Sequence, residues 1–468
     1  MSSLSATGSF TRANPSARRR AGGLPTGRLI AFSTLAMPVA ASQVPLNVYL
    51  PAILAQHFGL ALSTLGVVFL LAKSWGVIAD PLIGVLSDRN GGRFGRRRSW
   101  IFGGGLLLGL ATFLLFFPVA GVTPVYVALA LFVFYLAWSM VQIPYLAWSA
   151  EISGDYDERT RVATYQTVTS AVALLLVLVL PTIVDQVAPK DGTLKLGVIG
   201  GLLLTLLAIA LPLTLRAFAE RAPAPAGPRA RPQLGETLRV IWSNPLLVRV
   251  LASDFAVNLG QSIRGSLFVF VVSAYMGLPQ WSSGLFLAQF VFGLAAGPIW
   301  MGIAYRIGKH RAAVAGELAQ VAINLGLLLV RPGDLPLLLA LTIAQGLAQG
   351  SGNLMLRAMV GDVADQDRLK TGHDRTALFF SVFSTSSKAA MAAAVGVALP
   401  LVAWLGFDPK AAANTPEALR GLLLVFALGP AAAHLISALL VAGFPLDAKA
   451  HAAIRSQLAE RDAAAPAA

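Results

Sequence analysis

The sequence predicts an all-α membrane protein with twelve transmembrane helices arranged as two six-helix bundles. Three observations favour this class: the composition, the spacing of long apolar segments, and a repeat of motifs between the two halves of the chain. Of the 468 residues, 56% are hydrophobic and 12% are charged, whereas soluble domains have about 25% charged residues. The chain is therefore too apolar for a soluble globule.

Apolar segments long enough to cross a bilayer recur along the whole chain, since a span needs about 20 residues. They cover 29–55, 62–87, 100–119, 124–149, 162–184, 195–215, 247–275, 282–305, 312–330, 335–359, 377–405 and 418–443. An even number of spans places both termini on one side of the membrane. Because the arginine-rich loops also fall on that side, we expect both termini in the cytoplasm and the protein in the cell inner membrane.

The charge and the cysteine content exclude several classes of function. The net charge is +14, but the basic residues fall in short loops and in the N-terminal tail. We therefore expect contact with a lipid bilayer and not with nucleic acid. The chain has no cysteine, which excludes disulfides and thiolate metal sites. No catalytic constellation, metal-ligand cluster or phosphate-binding loop stands out, so we expect neither an enzyme nor a cofactor or metal.

A proline-rich stretch, 222–232, divides the chain, since such composition forms a semi-extended linker. We predict an N-terminal tail over 1–27, a first bundle over 28–216, a linker over 217–246, a second bundle over 247–445 and a C-terminal tail over 446–468.

The two halves share motifs. Gly95 precedes Arg96 after the second segment, and Gly308 precedes Lys309 after the eighth, an offset of a little over 200 residues. Duplicated six-helix halves are typical of transporters that rock two bundles around a site near the middle of the membrane.

The second segment contains two ionisable residues, Lys73 and Asp80, seven positions apart and so on one helix face. Ionisable side chains in a membrane segment are costly, and they usually face a wet cavity or a partner. We predict that this pair serves cation or proton coupling; the alternative is a structural ion pair.

The seventh segment carries a polar series, Asp254, Asn258, Gln261 and Arg264, at spacings of four, three and three. We predict that it lines a cavity and that Arg264 binds a solute through its planar guanidinium. The alternative is that Arg264 extends toward the membrane surface.

Other amides and aromatic rings are candidates for binding a solute, or alternatively pack between helices. They are Gln142, Tyr145, Gln166, Gln349, Asn353 and Trp75. Two isolated residues, Glu317 and His434, are expected to have structural roles, and the serines of the eleventh segment are expected to pack helices together.

Four groups of motifs, in chain order, resemble one family of transporters. They are Asp80-Pro81-x-x-Gly84 with Asp88 and Gly95-Arg96-Arg97-Arg98-x-Trp100; Ile143-Pro144-Tyr145 with the acidic and basic loop 155–161; Asp362-Val-x-Asp365 with Lys370-Thr371-Gly372, Phe379-Phe380-Ser381 and Lys388; and Phe444-Pro445-Leu446. The set is similar to the glycoside–pentoside–hexuronide:cation symporters of the major facilitator superfamily.

The resemblance implies alternating access and gives roles to several residues. Lys388 is implied to keep the substrate and cation sites coupled, with Asp80 as its partner. The charged residues Asp88, Arg89, Asp157 and Arg159 are implied to form a cytoplasmic gate; the alternative, that such charges only fix topology, accounts for the arginines but not for the acids.

The chain departs from the family pattern at the cation site. The resemblance predicts a second aspartate one turn before Asp80, where this chain has Gly76, and it predicts charged residues at the positions of Gln142 and Gln166. A sodium ion prefers several oxygen ligands, so a single carboxylate favours a proton as the coupling ion.

The sequence thus predicts a monomeric secondary active transporter of a small solute, a sugar, glycoside or uronide, coupled to a proton. Two alternatives stay open. One is an uncoupled facilitator or exporter of an anionic or amphipathic metabolite, and the other is a non-transporting signalling or assembly factor on the same fold.

Overall fold

The computed structural model describes residues 24–89, 95–119, 121–153, 156–189, 191–220, 234–411 and 413–464. Within these ranges, eleven helices are long and apolar enough to cross a membrane: Thr26–Gln56, Leu62–Ser87, Arg96–Phe116, Pro124–Glu151, Glu158–Val187, Gly192–Ala217, Pro245–Tyr275, Pro279–Ile307, Lys309–Leu329, Thr376–Trp404 and Pro416–Val441. A further long helix, Leu335–Thr371, occupies the place of the predicted tenth span. We number these helices spans one to twelve in chain order.

Span ten is less apolar than the other spans because it carries amide side chains and a charged C-terminal part, which ends at Gly372 in the left-handed conformation. Two further helices lie outside the spans. Leu234–Trp242 precedes span seven, and Ala448–Ala464 follows span twelve.

The repeat in the sequence is also a repeat of backbone geometry. Gly95 has φ 97° and ψ 159°, and Gly308 has φ 91° and ψ 152°, a region that is open to glycine and strained for other residues. Each glycine is followed by a basic residue that binds an acid on a neighbouring span. Arg96 lies 2.9 Å from Glu151, and Lys309 lies 2.8 Å from Asp362.

Spans one and seven, which are equivalent in the two halves, share a second feature. Each contains a π-helical turn, at Pro45–Tyr49 and at Val271–Tyr275. Such turns are uncommon and frequently mark functional positions. In span one the turn follows a helix with internal proline, since Pro38 lies within Ala36–Ala41.

We call the membrane side that carries Arg96, Arg159, Arg306, Lys309 and Arg375 the basic face, and the other side the opposite face. The two halves pack most closely through spans two and eleven. A β-carbon built on Gly66 would come within 2.6 Å of Pro400 Cδ, and one built on Gly396 within 2.9 Å of Leu70 Cβ. Glycine therefore allows these two helices to touch.

Several hydrogen bonds between described residues join the halves on the side of the opposite face. Near the opposite face Gln56 Nε2 donates to Ser273 Oγ at 3.1 Å, and Gln186 Nε2 donates to the Gln280 carbonyl at 3.0 Å. The backbone N–H of Ser283 donates to Asp185 Oδ2 at 3.0 Å. These contacts hold the bundle closed on the opposite face.

Candidate functional site

A cavity lies at the interface between the two halves, near the middle of the membrane. Spans one, two and four contribute most of its lining, and span eleven contributes the rest. The lining residues are Gln43, Asn47, Lys73, Gly76, Asp80, Tyr135, Trp138, Ser139, Lys388 and Met391. The structure thus brings together all three residues that the sequence singled out for coupling.

Asp80 is at the centre of this cluster. Its Oδ1 accepts a hydrogen bond of 2.5 Å from Ser139 Oγ, and its Oδ2 forms an ion pair with Lys388 Nζ. The ammonium group of Lys388 also lies 5.7 Å from the centre of the Trp138 ring. Because Asp80 belongs to span two and Lys388 to span eleven, the ion pair connects the two halves.

Lys73 shares the cavity with Asp80 without pairing to it. Its side chain is buried, and its Nζ donates to the backbone carbonyl of Met391 on span eleven at 3.4 Å. With two lysines and one aspartate, the cavity lining carries a net charge of +1 when all three groups are ionised.

The first part of the predicted polar series on span seven faces spans ten and eleven. Asp254 Oδ1 accepts from Asn258 Nδ2 at 2.9 Å, and its Oδ2 accepts from Ser387 Oγ at 2.6 Å. Gln261 Oε1 accepts from Asn353 Nδ2 on span ten at 3.3 Å. Two of the predicted solute-binding amides are thus bonded to each other.

Arg264 does not lie in the central cavity, contrary to the expectation from its spacing. It is buried inside the second half, where Nη1 donates to Asn324 Oδ1 at 3.0 Å and the guanidinium carbon lies 5.2 Å from the centre of the Phe426 ring. The reason is helical geometry: two steps of three residues rotate a side chain by about 120° relative to Asn258.

The two aromatic residues that were predicted to bind a solute, Tyr145 and Trp75, pack against neighbouring helices. Tyr145 is 2% exposed, and its hydroxyl donates to the Phe32 carbonyl at 3.0 Å. The ring of Trp75 stacks on Phe132 of span four with centroids 4.7 Å apart. Neither ring lines the cavity, because each is held against a neighbouring helix of the first half.

The remaining amide candidates lie outside the lining of this cavity. Gln142 and Gln166 are half-buried on spans four and five. Gln349 Oε1 on span ten accepts from Gln289 Nε2 on span eight at 2.9 Å. Glu317 and His434, expected to be structural, form a buried pair with 2.6 Å between Oε2 and Nδ1.

The side chains of three predicted gate residues, Asp88, Arg89 and Asp157, lie outside the described residues. The fourth, Arg159, donates through Nε to the Ser153 carbonyl at 2.8 Å. This contact lies within the first half.

Sequence reasoning missed several residues of the site, among them Gln43 and Asn47 of span one and Tyr135 of span four. Ser139 and Trp138 contact the Asp80–Lys388 pair, and a hydroxyl one helical turn from Tyr135 on span four was the available signal.

Another missed residue is Asp185, which is fully buried, pairs with Lys195 and accepts the Ser283 N–H from the other half. Its signal was an acid and a base at the facing ends of spans five and six.

Comparison with known proteins agrees with this architecture. The family model described as MFS/sugar transport protein matches residues 31–448. The chain belongs to this family. Its members are membrane transporters, so the chain is a multi-pass transport protein of the major facilitator type and not an enzyme.

Curated relatives share about a quarter of their residues with the chain. An uncharacterized symporter of Synechocystis, sll1374, is 25% identical over 88% of this chain and 93% of that protein. A glucuronide carrier protein homolog of Escherichia coli is 25% identical over 84% of this chain and 86% of that protein. The human sodium-dependent lysophosphatidylcholine symporter 1 is 22% identical over 81% of this chain and 76% of that protein.

A solved structure shares the fold. The nucleoside transporter NupG superposes with a TM-score of 0.67 at 12% identity, covering 88% of this chain and 98% of that chain. The family match makes the chain a transporter, and several of the relatives that it resembles are named symporters.

Proposed function

We propose that the chain is a proton-coupled symporter of a sugar, glycoside or uronide that works by alternating access. The observation that carries the proposal is the ion pair between Asp80 and Lys388, which joins the two halves beside the cavity. Binding of a proton at Asp80 would remove one charge of this pair. The same event would therefore load the cation and weaken a contact between the halves.

A proton suits this site better than sodium. Both oxygens of Asp80 are already bonded, one to Ser139 and one to Lys388. A sodium ion would have to displace the lysine and find further oxygen ligands, whereas a proton needs a single oxygen atom.

The charge of the cavity narrows the substrate class. Lys73 and Lys388 outnumber the one carboxylate in the lining, and each can bind the carboxylate of a uronide as a point charge. Amide side chains of Gln43 and Asn47 and the indole of Trp138 offer partners for hydroxyl groups and for an apolar sugar face. A glucuronide carrier homolog among the relatives supports a uronide in particular.

The proposed orientation follows from the basic loops. The basic face is cytoplasmic by the positive-inside rule, in the inner membrane of a bacterium, with both termini inside. The described contacts then correspond to a conformation that is closed toward the outside.

Reconstituted transport tests the proposal. Purified full-length protein in proteoliposomes is given radiolabelled methyl glucuronide or methyl glucoside, with an inward proton gradient, an inward sodium gradient or neither. We expect accumulation of the glucuronide above equilibrium with the proton gradient alone. Accumulation driven only by sodium contradicts the choice of ion, and failure to move either sugar under any gradient contradicts the substrate class.

A further inference from the structure

The second half contains a buried cation, Arg264, for which the described residues provide no acidic partner. Arg264 is 3% exposed, and its Nε and Nη2 atoms are buried with no hydrogen-bond partner among the described residues. These two atoms form the edge of the guanidinium that binds carboxylates and other anions by two parallel bonds. A buried charge is normally paired, because leaving it unpaired is strongly destabilising.

The acids of spans seven and nine are already engaged elsewhere. Asp254, ten residues away on the same helix, is bonded to Asn258 and Ser387. Glu317, which lies seven residues before Asn324 on span nine, is paired with His434. At a rise of 1.5 Å per residue, Asp254 lies about 15 Å from Arg264 along span seven. Glu317 lies about 10 Å along span nine from Asn324, the residue that is bonded to Arg264.

Helix register places more polar groups at the level of Arg264. A β-carbon built on Gly352 of span ten would come within 2.1 Å of Glu317 Oε1 and 3.4 Å of Val257 Cγ2. Arg264 lies seven residues after Val257 on span seven, and Asn324 lies seven residues after Glu317 on span nine, each on the same helix face as its reference residue. Span ten runs antiparallel to them, so the matching residue there is Gln345, seven residues before Gly352. The hydrogen bond between Arg264 and Asn324 supports this register.

These neighbours also carry unused hydrogen-bonding atoms. Gln320 lies one turn from Asn324, and its Nε2 and Oε1 have no partner among the described residues; the same holds for Thr342 Oγ1 and Gln345 Oε1. All three side chains are at most 1% exposed. Buried polar atoms are usually satisfied, so unused amide atoms within about one helical turn of the level of the free guanidinium edge indicate a binding site.

We infer that Arg264, with the side-chain amide of Gln320, forms a buried binding site for a small monovalent inorganic anion, such as chloride, inside the second half. One positive charge matches one negative charge. The Nε and Nη2 donors of Arg264 and the Nε2 donor of Gln320 can together bind the anion. Phe426, whose ring faces the guanidinium, closes one side of the site. The site is separate from the central cavity and from the transported solute.

Anion-dependent stability tests this inference. The full chain, purified in detergent without halide, is heated in increasing sodium chloride at constant ionic strength, with sodium gluconate as the replacement salt. A ligand that binds only the folded protein raises its stability in a saturable way. We expect a saturable rise in the unfolding midpoint of a few degrees with chloride, and no such rise with gluconate alone.

The chain provides a matched control on the same helix. Arg249 also lies over an aromatic ring, Phe444, but its Nε and Nη2 donate to the carbonyls of Leu440 and Ala442 at 3.0 Å. We expect Arg264→Gln to abolish the chloride response and Arg249→Gln to retain it. Retention of the response in Arg264→Gln overturns the inference.

A binding measurement on the unaltered protein covers the case in which Arg264→Gln does not fold. Radiolabelled chloride should bind the purified full chain with about one site per molecule, and excess bromide should displace it. Absence of saturable chloride binding, or identical melting curves in chloride and gluconate, overturns the inference without any variant.

Discussion

At the scale of single residues, the chemistry of the cavity depends on how few carboxylates it contains. Asp80 is the one acid in the lining, and it is joined to Ser139 and Lys388. Because this carboxylate forms an ion pair with a lysine of the other half, its charge contributes to the contact between the halves. Loss of that charge should therefore separate substrate movement from cation movement.

Asp80→Asn is expected to abolish proton-driven accumulation while solute exchange across the membrane continues. The amide cannot take up a proton, so the driving gradient has no group to act on. Uptake and exchange in proteoliposomes measure the two activities, with Asp374→Asn, in an exposed loop at the basic face, as the control. Full accumulation by Asp80→Asn would remove this carboxylate from the coupling mechanism.

Gly76→Asp is expected to make accumulation respond to sodium. The side chain has room, since the atom nearest to an added β-carbon is Tyr135 Cβ at 4.0 Å. A second carboxylate one turn from Asp80 adds oxygen ligands and offsets the excess of lysine. Uptake measured with and without sodium, beside Gly76→Asn as a neutral control, checks this; equal sodium responses in the two variants would contradict it.

At the scale of helices, spans two and eleven come into contact through glycine. Gly66 lies against Pro400, and Gly396 lies against Leu70. A larger side chain at either position should push the two spans apart near the opposite face. The closed conformation is thereby weakened without any change in the cavity lining.

Gly66→Val is expected to shift the protein toward the conformation open at the opposite face. The added β-carbon would lie 2.6 Å from Pro400 Cδ, which only separation of the spans relieves. The chain has no cysteine, so a single Ser273→Cys reports opening through its rate of labelling by a membrane-impermeant maleimide. Gly103→Val, where nothing lies within 4 Å, is the control, and equal labelling rates in the two would contradict the prediction.

Individual helices and the internal repeat could be predicted from sequence because they depend on local hydropathy and on glycine. The Gly95 and Gly308 turns, for example, have matching backbone angles. The surroundings of Arg264 could not be predicted, because its spacing places it about 120° from Asn258 but does not show which neighbouring helix that face meets. Tyr145 and Trp75 illustrate the same limit: an aromatic ring beside a cavity can turn to either side, and the packing of the neighbouring helix decides.

At the scale of the whole molecule, closure on the opposite face depends on contacts that local patterns do not predict. Asp185 is bonded to Lys195 within its own half and to the backbone of Ser283 in the other half. The negative carboxylate at the first turn of span eight also interacts favourably with the helix dipole. This contact must break whenever the opposite face opens.

Ser283→Pro is expected to favour opening by removing the N–H that binds Asp185, while proline is tolerated in the first turn of a helix. A hydrogen bond to a charged group contributes about 1.5–3 kcal/mol, so labelling at Ser273→Cys should accelerate by roughly 10- to 100-fold. Ser282→Pro is the matched control, because Ser282 donates within its own half to Pro279. Equal labelling of the two proline variants would exclude this bond as a determinant of closure.

Span eleven presents two adjacent side chains to two different acids. Ser387 holds Asp254 of its own half, and Lys388 holds Asp80 of the other. Neutralising Asp80 would remove the ion pair with Lys388 and leave the hydrogen bond between Ser387 and Asp254. Span eleven would then stay bonded to its own bundle and lose this bond to the other bundle. One turn of span eleven thereby carries one bond to each half, and loss of the bond to Asp80 leaves the bond to Asp254 in place.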